Sequence, residues 1–125
     1  GAYSYQGEAA RAQALLAQAQ DGLDRTRRAA QIELERLRQD AASTAQRAAS
    51  YDGDILPRAR KVAEQAELAY NKGALSLSDL LDARRTLRST ELDALSARTD
   101  HAKALGAWRL RSQADAMALR DPSHP

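Results

Sequence analysis

The chain has no cysteine and no phenylalanine, only three prolines, and aromatic residues at 4% of its 125 positions. Without cysteine there are no disulfides and no thiolate metal sites, while the compartment is left open. Aromatic side chains supply the largest apolar areas of ordinary cores, so their scarcity argues against a thick globular interior. No run approaches the 18 or so apolar residues that cross a bilayer, and the stretch from Gly1 does not read as a secretory signal. As it stands the chain reads as soluble, and as a piece of a longer one. A dominant charge is lacking too: 19 basic and 17 acidic residues leave a net charge of +2. The two signs alternate along the chain, which describes solvated helix faces rather than the basic stripe of a nucleic-acid surface.

What the chain does have is alanine, 28 residues of it. Alanine favours helix, lets helix backbones approach closely and buries little area per residue. Long helices sharing a thin interface fit this composition better than a ball. From Ala9 the small or apolar positions run through Ala12, Leu16, Ala19, Leu23, Thr26, Ala30, Leu34, Leu37, Ala41, Ala45, Ala48, Tyr51, Ile55, Ala59, Val62, Ala66 and Ala69. The steps are all three or four, the coiled-coil period. One seam over about sixty residues predicts a helical arm of ~90 Å at 1.5 Å per residue.

The segment "YDGDILPRA" (residues 51–59) interrupts the pattern with Gly53 and Pro57, both poor interior helix residues. The seam stays in phase through Tyr51, Ile55 and Ala59, so the reading is a kink in a continuous helix. The carbonyl that Pro57 crowds belongs to Gly53, whose missing side chain leaves room to bend.

A second helical run, from Leu77 to about Ala116, carries two apolar flanks. One passes through Leu80, Ala83, Leu87, Thr90, Ala94, Ala97, His101, Leu105 and Trp108. The other has Leu81, Leu92, Leu95, Thr99, Ala102 and Gly106. A helix with two flanks needs two neighbours, and a lone hairpin supplies one. Further helices, from the rest of a parent chain or from other subunits, are therefore expected.

Between the two runs lies "YNKGALSLSDLLDA" (residues 70–83). Gly73 sits where a left-handed C-cap is cheapest, with Lys72 at the negative end of the helix dipole. Ser76 and Asp79 have the spacing of a capping box, and Leu75 and Leu80 occupy the two positions of a hydrophobic staple. The turn is thus specified locally, and the carboxylates of Asp79 and Asp82 exceed what it requires.

That stretch, with "ILPRARKVAEQAELA" before it and "YQGEAARAQALLAQAQ" far upstream, resembles the second repeat of the TolC-like outer membrane factors, most closely their heavy-metal, CzcC- and CusC-like branch. The resemblance spans residues 5 to about 115, and the tip motif, an aromatic, then Gly, then Asp-Leu-Leu-Asp-Ala, is its most specific part. It implies the periplasmic hairpin of an efflux channel whose β-barrel strands, anchored in the outer membrane, are absent from this chain. In such channels three subunits form a helical tube whose tips narrow to a gate and meet a periplasmic adaptor protein, which clasps an inner-membrane pump. Carried onto this sequence, the resemblance implies that Tyr70, Asp79 and Asp82 line the constriction, and that Gly73, Ala74, Leu75 and Ser76 contact the adaptor. Repeated by threefold symmetry, the two carboxylates make stacked acidic rings that attract cations. Leu75 stands where TolC carries a locking arginine, so the gate implied here closes without that salt bridge.

Plainer roles stay open for each of these residues. Asp79 caps the helix, Asp82 favours the helix dipole, Tyr70 packs at the hairpin end, and Gly73 is structural on either reading. His101 reads as a seam residue, and with His124 in a proline-containing tail it makes no paired metal site. Trp108 reads as a packing residue. No nucleophile with a base, phosphate loop or cleft is evident, so neither an enzyme nor a cofactor is expected.

The sequence thus predicts an all-α, long antiparallel coiled-coil hairpin, part of a trimeric α-barrel in the full-length protein. A helix over about 8–71, a tip turn at 72–77, a helix over about 78–116 and a tail at 117–125 make up the hairpin. A coiled-coil hairpin of a periplasmic adaptor, or another helical scaffold, is the alternative; the arms, about 64 and 40 residues, favour a channel repeat.

Overall fold

A computed structural model describes residues 2–120, with side chains from Ser4 onward. Helix α1 runs Ala2–Ser50, a π turn follows at Tyr51–Ile55, α2 runs Leu56–Asn71, and α3 runs Leu77–Arg120. The described residues contain no strand. Compared with the expected limits, α1 already starts at Ala2, since nothing in "AYSYQG" stops a helix, and α3 continues to Arg120 through the helix-favouring "ADAMALR". The rest of the expected tail, with His124, lies outside the described residues.

The chain divides into two units, residues 1–36 and residues 37–125. In the first, the seam positions Leu16 and Leu23 are exposed, as are Leu15 and Ile32. The second unit is the hairpin. Arm one, made of residues 37–50, the π turn and α2, packs antiparallel on α3. Cross-arm ion pairs mark the register: Glu67 with Arg84 near the tip, then Asp52 with Arg98, then Arg47 with Asp100. Farther from the tip, Thr44 Oγ1 lies 3.4 Å from His101 Nδ1.

The buried core is thin and mostly alanine. Arm one contributes Ala41, Ala48, Leu56, Ala63 and Ala66, and α3 contributes Leu80, Ala94, Ala97 and Ala104. Of the expected first flank of α3, Leu80, Ala94 and Ala97 are buried and Ala83, Leu87, Thr90, His101, Leu105 and Trp108 are half-buried. Ala104 was absent from that expectation. It takes the step of three after His101 and sits deeper than Leu105.

The π turn corrects the expected phase of arm one. The Leu56 N–H donates to the Tyr51 carbonyl, five residues back. Pro57 has no N–H to offer Gly53, and its ring crowds that carbonyl; the wider turn relieves both problems without breaking the helix. The helix is continuous, as the sequence suggested, but the extra residue advances the seam. Leu56 and Ala63 are 3% and 6% exposed, whereas Ile55 and Val62, the in-phase positions, are 36% and 56% exposed. Arg47 sits 5.3 Å from the centre of the Tyr51 ring at the start of this turn, a cation–π contact.

Truncating the side chain that the π turn delivers to the core should therefore cost more than truncating the one it rotates out. Leu56→Ala is expected to lose about 2–4 kcal/mol of unfolding free energy. Val62→Ala should stay within about 0.5 kcal/mol. Urea titration followed by circular dichroism reads both, and comparable losses would contradict the shifted register.

Candidate functional site at the hairpin tip

The tip is built from the backbone outward. At the end of α2 the Lys72 N–H donates to the Leu68 carbonyl at 3.1 Å, Gly73 N–H to Tyr70 at 3.0 Å and Ala74 N–H to Ala69 at 2.8 Å. The last two are the nested pair of a Schellman motif, which requires a left-handed residue between them. Gly73 supplies it with φ +76°. On the other side of the turn, Ser76 Oγ accepts the Asp79 N–H at 3.1 Å, capping α3. Of the capping box this is the half that forms; among the described residues no bond returns from the Asp79 carboxylate to Ser76. Leu75 is half-buried and Leu80, at 1% exposure, is the most enclosed large side chain of the hairpin. They occupy the two staple positions.

The turn thus brings the sequence-predicted residues together at one end of the hairpin and leaves most of them facing outward. Tyr70, Gly73, Ala74, Ser76, Asp79 and Asp82 are all exposed, as is Leu77. Asp79 and Asp82, three residues apart in the first turns of α3, share a side of the helix. They differ in surroundings: Asp82 lies 3.5 Å from the Arg85 guanidinium. The sequence expectation placed Asp82 in the constriction or at the helix dipole and named no partner for it, although Arg85 stands three residues on.

A forked ion pair between the arms lies away from the tip and escaped sequence reasoning. Arg98 grips Asp52 with both ends of its fork, Nε to Oδ1 at 2.9 Å and Nη2 to Oδ1 at 2.6 Å, with Nε also 3.1 Å from Oδ2. The Arg98 hydrogen bonds hold the Asp52 carboxyl below its ordinary range, aided by the charges of Arg98 and Arg60 and opposed by desolvation. Arg98 is shifted up in return. No pattern along one helix could reveal this pair, since it depends on the interhelical register that the π turn sets.

Among the described residues no three His, Asp or Glu side chains gather as a metal site, and no helix is long and apolar enough to cross a membrane. Set against protein-family models, curated proteins and solved structures, the chain matches none. The resemblance to the TolC-like channels is therefore carried by the sequence stretches quoted above alone.

Two outcomes follow from the geometry. Gly73→Ala meets open space but must hold positive φ, so its cost is backbone strain of about 1–2 kcal/mol; Ser76→Ala removes the cap for about 1 kcal/mol. Thermal melts of the two variants check these values. Separately, a carboxylate with a depressed folded pKa stabilises the fold above its unfolded value and loses that contribution as pH falls through the folded one. Asp52 should thus support the hairpin fully above its ordinary 3.8 and progressively less below it. Melting profiles against pH should show a shallower acid limb in Asp52→Asn than in the parent, and an unchanged limb would remove Asp52 from the acid transition.

Proposed function

We propose that the chain is the periplasmic helical hairpin of an outer-membrane efflux channel of a tripartite export system, of the heavy-metal branch of the TolC-like family. Three copies of the full-length protein form the tube, anchored by β-barrel strands outside this chain. The tip docks a periplasmic adaptor, and through it an inner-membrane pump. The chain supplies a passive path; it holds no energy source of its own in this reading and needs no cofactor.

The observation that carries the reading is the tip itself. Its backbone is closed by its own hydrogen bonds on both sides of Gly73, yet Ala74, Ser76, Leu77 and Asp79 are left exposed. Ser76 caps α3, whereas Ala74, Leu77 and the Asp79 carboxylate are exposed beside it and offer a surface to a partner. The second flank of α3 adds support, since Leu92, Leu95, Thr99 and Ala102 are exposed, as the wall of a larger helical assembly requires. Docking falls to Gly73, Ala74, Leu75 and Ser76, and the constriction to Tyr70, Asp79 and Asp82.

Photo-crosslinking from Ala74 in the full-length protein in intact cells, with mass spectrometry of the captured partner, tests the docking end. Capture of a periplasmic adaptor is expected. Capture of an outer-membrane channel alone would make this the adaptor's hairpin, and capture of neither would leave a helical scaffold. The acidic constriction has its own test: alanine at both Asp79 and Asp82 should lower the cation selectivity of the reconstituted channel several-fold, and unchanged selectivity would remove the carboxylates from the passage.

A further inference from the structure

Two heptad rows run side by side through α2. Ala41 and Ala48 are buried seven residues apart, and the same step continued along the chain leads to Ile55, Val62 and Ala69, all apolar. The π turn diverts burial one residue onward, to Leu56 and Ala63, which also stand seven apart. Adjacent residues of an α-helix differ by about 100° in bearing, so one row or the other meets α3, never both. Ala59 and Ala66 stand three or four residues from members of either row and can flank both.

Three features hold the row now in use. Pro57 offers no N–H to the Gly53 carbonyl in an α turn. Arg98 forks onto Asp52 inside the π turn. The present phase also keeps Arg58 and Gln65, both exposed, away from the seam. Against these stands the apolar content of the unused row. Ile55 with Val62 carries more side-chain carbon than Leu56 with Ala63, so that row has more apolar surface to bury. The long stems of Arg58 and Gln65 can lie along a seam edge with their polar heads in water. A turn that disfavours one phase and a side-chain row that favours it oppose each other, which is the condition for two neighbouring states.

We propose that the π turn is a phase switch: α2 has a second seating on α3, reached when the turn tightens to α-helical bonding, in which Ile55 and Val62 take the places of Leu56 and Ala63. The Leu56 N–H, now on the Tyr51 carbonyl, moves one residue on to that of Asp52. Helix α2 turns by about 100° about its own axis, and the surplus residue passes toward the turn that follows Asn71. Ala69 enters the seam, and Leu56 and Ala63 face water. The Asp52–Arg98 pair is the latch. The Arg98 side chain is exposed, so an anionic group that takes over its guanidinium releases Asp52 and with it the wide turn. The switch decides which apolar row the hairpin presents to its surroundings. It uses only the hairpin's own bonds and nothing of the channel reading.

The chain contains no cysteine, so single cysteines report the seating through their rates of thiol labelling. Ala63→Cys places a thiol that is buried in the π seating and turned outward in the other. Gln65→Cys places one that is exposed now and moves to the seam. In the parent background the thiol at position 65 should react at least tenfold faster than the one at 63. Asp52→Asn/Pro57→Ala removes the latch and the obstacle to an α turn, and it should slow position 65 and speed position 63, moving their ratio by at least tenfold. Ile55→Ala added to that background should move the ratio back, because the second row loses its largest member; fraying of the helix would not respond in this way. Circular dichroism verifies helix content, and should the double variant not fold, Pro57→Ala alone carries the same comparison. An unchanged ratio, two thiols that accelerate together, or a ratio indifferent to Ile55→Ala would each overturn the switch. Those results leave the adaptor capture from Ala74 standing, and failure of that capture leaves the switch standing.

Discussion

The hairpin depends on the close approach of two helix backbones across a seam of alanine. Ala94 and Ala97 on α3 and Ala63 and Ala66 on α2 are buried, and such small side chains hold the seam shut without filling much space. The area removed from water per residue is correspondingly small. The ion pairs at the edges, Glu67 with Arg84, Asp52 with Arg98 and Arg47 with Asp100, are within reach because the backbones are near. Exposed pairs of this kind add little stability each. They discriminate between registers, which a row of near-identical alanines does poorly.

The π turn matters for the same reason. In a seam where Ala59 and Ala66 fit either phase, the choice between Leu56/Ala63 and Ile55/Val62 falls to the local backbone. Pro57, lacking an N–H, and Gly53, lacking a side chain, make the wide turn the cheaper solution. Asp52 lies within that turn, and its bond to Arg98 ties the chosen phase to α3. A local backbone demand thereby decides which large apolar side chains serve the hairpin and which remain outside it.

The same logic separates what was legible in the sequence from what was not. The helices, the turn and its caps were readable because Gly73, Ser76 and the three-four spacing act within a few residues of themselves. The kink at Gly53 and Pro57 was readable as a continuous bend, but its width was not. A kink and a π turn share the same breaker residues and differ by one hydrogen-bond step, and that step moved Ile55 and Val62 out of the seam. Ala104 was missed because Leu105 beside it is more apolar, while burial followed spacing instead. Asp52 with Arg98 was unreadable because a pair between helices needs the register that the turn defines. At the tip, the placement of Tyr70, Asp79 and Asp82 was foreseen, and the Arg85 partner of Asp82 was overlooked although its spacing announced it.

A thin seam and a well-made tip have different dependence on neighbours. The sides of the hairpin leave Leu92, Leu95 and Val62 in water, and in the proposed channel their burial falls to other helices. The tip needs less such help: the amides of Lys72, Gly73, Ala74, Asp79 and Leu80 are answered within residues 68–80, and Leu80 beneath it is enclosed by the hairpin itself. Neighbours packed along the sides can therefore shift without unmaking the turn, and a partner bound at the turn meets a surface already formed. Such a partner loses little to ordering the tip backbone, so its binding energy is available to move helices along the sides, where the packing left by alanine is weakest.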